Sequence, residues 1–166
     1  MIIDCHGHYT TAPVALKKWR EAQIANLNSP ELGPKVSDLK ISDDEIRESI
    51  ELNQLARMKE RGIDVTILSP QASFMSHHIG DFNTSATWAA ICNELCYRVT
   101  QLFPQHFVGA AMLPQSPGVD ISTCLPEMRK CINEYQFVGI NLNPDPSGGH
   151  WRDPPLSHAY WHPKIG

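Results

Sequence analysis

Apolar residues along this chain fall into two kinds of run. DVTILS (64–69), FVGAAML (107–113) and FVGINL (137–142) are short and nearly continuous, and each is closed by a loop containing proline. Continuous rather than alternating runs predict strands covered on both faces, as in a parallel sheet. Met1, Ile2 and Ile3 lead into Asp4 and Cys5, which reads as a further brief buried strand.

The second kind of run is periodic. Trp88, Ile91, Cys92, Leu95, Cys96, Val99, Leu102 and Phe103 recur at helical spacing and predict an amphipathic helix ended by Pro104. Ser42-Asp43-Asp44-Glu45 has the form of a capping box, so a helix should begin there and stop at Gly62. Its stripe of Ile46, Ile50, Leu55 and Met58 is loose. Ile121, Leu125, Met128, Ile132 and Tyr135 mark another helix, with Pro126 tolerable only in its first turn. Residues 9–40 read as a lid-type insertion carrying a short helix, because an unstructured loop of that length is unusual.

Strands and helices therefore alternate, which implies a parallel sheet covered by helices. The polar clusters His6/His8, Ser69 to His78, Pro114 to Ser116 and Asn141 to Asp145 all follow or end strands. That end of a parallel sheet carries the site in α/β folds. A doubly wound nucleotide fold would want a glycine-rich turn after its first strand, and CHGHYT offers only Gly7. A barrel needs no such turn but typically takes about 250 residues. The expectation is one α/β domain over residues 1–166, the first half of a metal-dependent (β/α)8 TIM barrel with four parallel strands and helices.

Composition narrows the function classes. Hydrophobic residues make up 42% and charged residues 19%, a globular balance. A net charge of −4 with no basic stripe argues against a nucleic-acid partner. No apolar run approaches the ~20 residues of a bilayer span and no targeting segment is visible, so a cytoplasmic protein with no membrane partner is expected. Cys92/Cys96 and Cys124/Cys131 each share a helical face, but their spacing matches neither a zinc ribbon nor a redox CxxC. Buried, reduced thiols are the expectation.

His6 and His8 remain as candidate chemistry. Residues i and i+2 of a strand point the same way, so both imidazoles converge on one place, with Gly7 between them. Paired neutral imidazoles suit Zn²⁺ and other borderline metals. The alternative is a strand that carries two polar residues as it reaches solvent.

Several segments together resemble the 4-oxalomesaconate hydratases, a branch of the metal-dependent amidohydrolase superfamily: IIDCHGHYTTAP, ISDDEIRESIELNQL, KERGIDVTILSP, ASFMSHHIGDF, AAMLPQSPG and GINLNPDPSGGHW. The resemblance implies a barrel holding one zinc ion, with His6 and His8 as ligands and the remaining ligands on later strands beyond this chain. It implies addition of water across an activated double bond of a small polycarboxylate keto acid, with the general acid and base unassigned. Ser73, His78, Asn141 and Asn143 are the implied substrate contacts, with Asn143 alternatively forming a turn before Pro144. His77 is expected to be an ordinary exposed loop residue, and His150 and Trp151 either line the mouth or are plain loop residues. Two departures stand out. Gln71 replaces an arginine of the family pattern, and the pattern is lost after Trp161.

Two other readings stay open. One is a related decarboxylase or hydrolase that shares the histidine pair. The other is non-enzymatic: a truncated, inactive product, or a half-barrel that survives only by pairing its open edges with another chain, a homo-oligomer among the options.

Overall fold

Four parallel strands pair in the order β1-β2-β3-β4: β1 (Ile3–Tyr9), β2 (Val65–Pro70), β3 (Phe107–Met112) and β4 (Gly139–Asn141). The computed structural model describes residues 1–74 and 76–161, so the loss of family pattern after Trp161 lies outside the described residues. Among the described residues five α-helices accompany the strands: α1 (Val14–Ala25), α2 (Asp43–Ser49), α3 (Ala56–Arg61), α4 (Phe82–Leu102) and α5 (Leu125–Asn133). A π-helical segment, Ile50–Leu55, joins α2 to α3.

Local chemistry sets the helix ends. Ser42 Oγ accepts from the Glu45 amide at 3.2 Å, and the Glu45 carboxylate accepts from the Ser42 amide at 2.8 Å. These reciprocal bonds satisfy two orphan donors of the α2 terminus. The α3 end falls at Gly62, whose φ of 67° is the left-handed conformation that glycine adopts without a Cβ penalty. Asp81 caps α4 by accepting from the Thr84 amide. Pro126 falls in the first turn of α5, where its missing N–H costs nothing.

The core lies between the sheet and its helices. Leu68, Phe107 and Met112 from the sheet meet Ile46, Ile50 and Met58 beneath α2–α3 and Trp88, Cys96 and Val99 on α4. At ~1.5–3 kcal/mol for each large apolar side chain removed from water, this layer is the main source of stability. Cys92, Cys96, Cys124 and Cys131 are buried and unbridged, as expected. Burial pushes the Cys92, Cys124 and Cys131 thiols up to about 12. Such thiols are inert small hydrophobes.

β2 alternates in burial: Thr66 and Leu68 face the helices, while Val65 and Ile67 on the opposite face are half-buried. That opposite face is the one a closed barrel would turn inward.

The first strand departs from expectation. It runs on through both histidines to Tyr9, and its start is exposed rather than buried, with Ile3 50% exposed. The reason is position. β1 is an edge of the sheet among the described residues, so one side of it has no neighbour. Among the described residues β4 is the other edge, and Val138 just before it is 61% exposed.

Candidate metal centre

β1 does not pair evenly with β2. Its register shifts between Asp4 and Gly7, and pairing resumes with Gly7 opposite Leu68 and His8 opposite Ser69. Gly7 is required there: a Cβ would lie 2.9 Å from the Ile67 carbonyl oxygen and would also strike the Thr66 methyl. The irregularity sets His6 and His8 at the rim of the sheet.

The two imidazoles meet edge to face, with rings 87° apart and their Nε2 atoms separated by 3.1 Å. On the far side of its ring, His8 Nδ1 lies 3.0 Å from the Pro70 carbonyl oxygen and 2.8 Å from Ser69 Oγ. The carbonyl can only accept, and Ser69 gives its proton to the Gly7 carbonyl at 3.1 Å. These partners assign the proton of neutral His8 to Nδ1. Its Nε2 is then a lone pair aimed at His6.

Two facing lone pairs repel, so either His6 Nε2 carries a proton or a cation lies between the two nitrogens. Ligands at ~2.0–2.1 Å in a tetrahedral zinc site stand about 3.3 Å apart. The 3.1 Å separation and the backbone-anchored tautomer therefore fit a metal ion, with Ser69 and Pro70 as the outer partners that fix the ligand ring. Among the described residues no group of three or more His, Cys, Asp or Glu could hold a metal. Two converging imidazole nitrogens are what the described residues bring together here.

The sequence-predicted contacts distribute unevenly. Asn141, on β4, donates to Ser69 Oγ at 3.3 Å and so joins the histidine network through that hydroxyl. Asn143 sits in a turn: its Oδ1 accepts from the Asp145 amide at 3.0 Å, and its backbone exchanges hydrogen bonds with the Gln115 side chain. Ser73 is exposed on a short 3-10 turn, Ala72–Phe74, and lines a cavity of about 390 Å³ with Thr10, Lys17 and Gln71. His78 is exposed and packs against Gly148. His150 and Trp151 are exposed loop residues.

His77 corrects the expectation of an ordinary exposed loop histidine. It is only 2% exposed, with Nδ1 2.7 Å from Ser85 Oγ. Burial first, then the nearby Arg20 and His78 charges, push it down to about 4.

Three contributors have roles that the sequence reading did not assign. Ser69 and the Pro70 carbonyl orient His8. Gln54, in the π-helical segment, accepts from Thr11 Oγ1 at 2.6 Å and lies 3.5 Å from the His8 carbonyl. A serine ending a strand before proline is the one available signal. Nothing in the sequence announces the π-helical turn.

A second cavity, about 360 Å³, opens at the free edge of β1 beside His6 and His8. Gln54, Arg57 and Arg61 line its other side, and both arginines are exposed.

A 2-keto-4-carboxy-3-hexenedioate hydratase of Sphingobium sp. is 52% identical over 163 residues, covering 98% of this chain and 47% of that protein. The crystal structure of 4-oxalomesaconate hydratase from Rhodopseudomonas palustris is 66% identical and superposes with a TM-score of 0.91, again over 98% of this chain and 47% of that one. A 5-carboxyvanillate decarboxylase from Novosphingobium aromaticivorans, solved with manganese, shares the fold at a TM-score of 0.63 and 17% identity, over 98% of this chain and 46% of that one. The chain thus spans about half the length of the relatives it matches. The expected barrel-type arrangement of four parallel strands is confirmed by this match. A family model described as amidohydrolase covers residues 3–162, and with that match across the half-barrel the chain belongs to the amidohydrolase family.

Proposed function

We propose that this chain supplies the histidine-bearing half of a zinc-dependent hydratase that adds water to 4-oxalomesaconate, giving 4-carboxy-4-hydroxy-2-oxoadipate. The carrying observation is the His6/His8 pair, with converging Nε2 atoms and the His8 tautomer anchored from behind. The names of the two hydratase relatives, at 52% and 66% identity, support the reaction class. Residues 1–166 form one incomplete barrel domain in this reading, and the ligand set is completed from outside the described residues.

His6 and His8 would hold the ion through Nε2, and a zinc ion there would supply a Lewis acid able to lower the pKa of water towards ~7. Ser69 keeps His8 in register and couples it to Asn141 on β4. Thr10, Lys17, Gln71 and Ser73 surround a cavity able to take a carboxylate arm of the substrate. His78 and Asn143 are further contacts in this reading, provided that the substrate reaches the loop and turn on which they sit. The proton that completes hydration requires a donor that this half does not identify.

The test is a chimera in which this chain replaces the matching half of the Rhodopseudomonas palustris enzyme. Zinc-dependent loss of the conjugated double bond of 4-oxalomesaconate, abolished by His8→Ala, is the expected result. A folded, metal-loaded chimera that leaves 4-oxalomesaconate intact but releases CO₂ from an aromatic carboxylic acid would replace the hydratase reading with a decarboxylase one.

A further inference from the structure

Arg20, on α1, presents an unusual environment. Its guanidinium carbon lies 4.2 Å from the Trp88 ring centroid and 4.7 Å from that of Phe74. Both rings lie within cation–π distance of the guanidinium, and neither can accept a directed hydrogen bond from its nitrogens as a carboxylate would. Nε and Nη2, the two nitrogens of its side-on fork, are buried without a hydrogen-bonding partner among the described residues. His77 Nε2 is likewise buried without a partner. Ser85, which holds the other nitrogen of His77, is one helical turn from Trp88 on α4, and His77 is three residues from Phe74.

We propose that Arg20 and His77 form an enclosed receptor for one small carboxylate, independent of the hydratase reading. Leaving three buried polar nitrogens unpaired costs roughly 1–3 kcal/mol each, so the arrangement calls for an acceptor. The fork of Arg20 matches a planar carboxylate with two parallel hydrogen bonds. His77 adds a third when Ser85 donates to Nδ1 and the imidazole proton sits on Nε2. Among the described residues no ion pair is made to Arg20, and the nearby Cys92 thiol is kept protonated at neutral pH by burial. The burial of these nitrogens favours a ligand of formate or acetate size, or one carboxylate arm of a longer acid.

The experiment is thermal unfolding of the purified chain at pH 7 in sodium acetate, tricarballylate or chloride at matched ionic strength. Acetate should raise Tm saturably in the native chain, because a ligand that binds only the folded state stabilises it. Arg20→Lys keeps the charge but not the fork, and should raise the half-saturating concentration at least tenfold. His77→Phe should weaken the response, and His6→Ala/His8→Ala should leave it unchanged. A tricarballylate response as strong as that of acetate, and equally lost in Arg20→Lys, identifies the ligand as an arm of a longer acid. Acetate alone identifies a free small anion. An acetate response absent from the native chain, unchanged in Arg20→Lys, or lost in the β1 double variant overturns the proposal. Should Arg20→Lys fail to fold, line broadening of ¹³C-acetate by the native chain but not by His77→Phe gives the same decision.

Discussion

His8 Nδ1 lies 2.8 Å from Ser69 Oγ across the β1–β2 pair, and this contact decides which nitrogen of His8 faces His6. Without the hydroxyl, the Pro70 carbonyl alone fixes the ring. Outer partners of this kind typically set metal affinity by a factor of 10 to 100. If the proposed zinc site forms, Ser69→Ala should therefore weaken zinc binding about tenfold while leaving the fold intact. Competition against a chelating dye reads the affinity, and an unchanged value would show that Pro70 suffices.

Gln71 gives a second prediction. It follows β2 and borders the cavity shared by Thr10, Lys17 and Ser73. A neutral amide there cannot form the charged, two-pronged contact that an arginine makes with a carboxylate. Hydrogen bonds to charged groups contribute ~1.5–3 kcal/mol, so Gln71→Arg in the hydratase chimera should lower KM by about one to two orders of magnitude. A KM that does not move would remove this cavity from the substrate path.

The close approach of Gly7 to β2 gives a third. A methyl group there meets a carbonyl oxygen of the neighbouring strand, which cannot rotate away as a side chain can. Gly7→Ala should cost about 1–3 kcal/mol in urea unfolding. Adding Thr66→Ala should recover only part of that loss, since Ile67 O remains in the way.

Asn93 is the fourth. Fully buried on α4, it donates to the Met112 carbonyl and accepts from the Met112 amide, both at 2.8 Å, and also donates to Glu127. One side chain thus serves the end of β3 as a neighbouring strand would. Asn93→Leu preserves volume but strands both backbone groups, at roughly 1–3 kcal/mol each. A midpoint within error of the native chain would mean that water replaces the amide.

These residues also show what a sequence can and cannot disclose. The α4 stripe from Trp88 to Phe103 is legible because burial on a helix face repeats locally every three to four residues. Asn93 interrupts that face, and its reason is Met112, a residue it meets only through the fold. The histidine pair is legible because i, i+2 spacing alone makes two side chains converge on a strand. Ser69 is not, because its role depends on the register between β1 and β2. The exposure of Ile3 escapes for a related reason: a run of apolar residues does not say whether its strand has neighbours on both sides. Between the adjacent histidines, only packing distinguishes His77, buried against Ser85, from the exposed His78.

That burial makes His77 a source of pH-dependent stability. In the unfolded chain it titrates near its ordinary value of 6.5, and in the folded chain near 4. Between those values the unfolded state holds the extra proton, so stability rises with pH. The contribution is fully present above pH 6.5, falls through the window, and is gone below about pH 4. At 1.36 kcal/mol per pH unit it amounts to about 3 kcal/mol at most. Urea midpoints from pH 7 to pH 4 should fall more steeply for the native chain than for His77→Phe, which isolates this histidine from the carboxylates Glu45 and Asp81, both held below their usual range by helix-capping hydrogen bonds. Arg20 and His78 are the charges that bear on His77, and a carboxylate seated on Arg20 would offset the first of them. Formate at neutral ionic-strength balance should therefore flatten the slope in the native chain and leave His77→Phe unaffected, whereas parallel slopes for the two chains would show that His77 takes up its proton without cost to the fold.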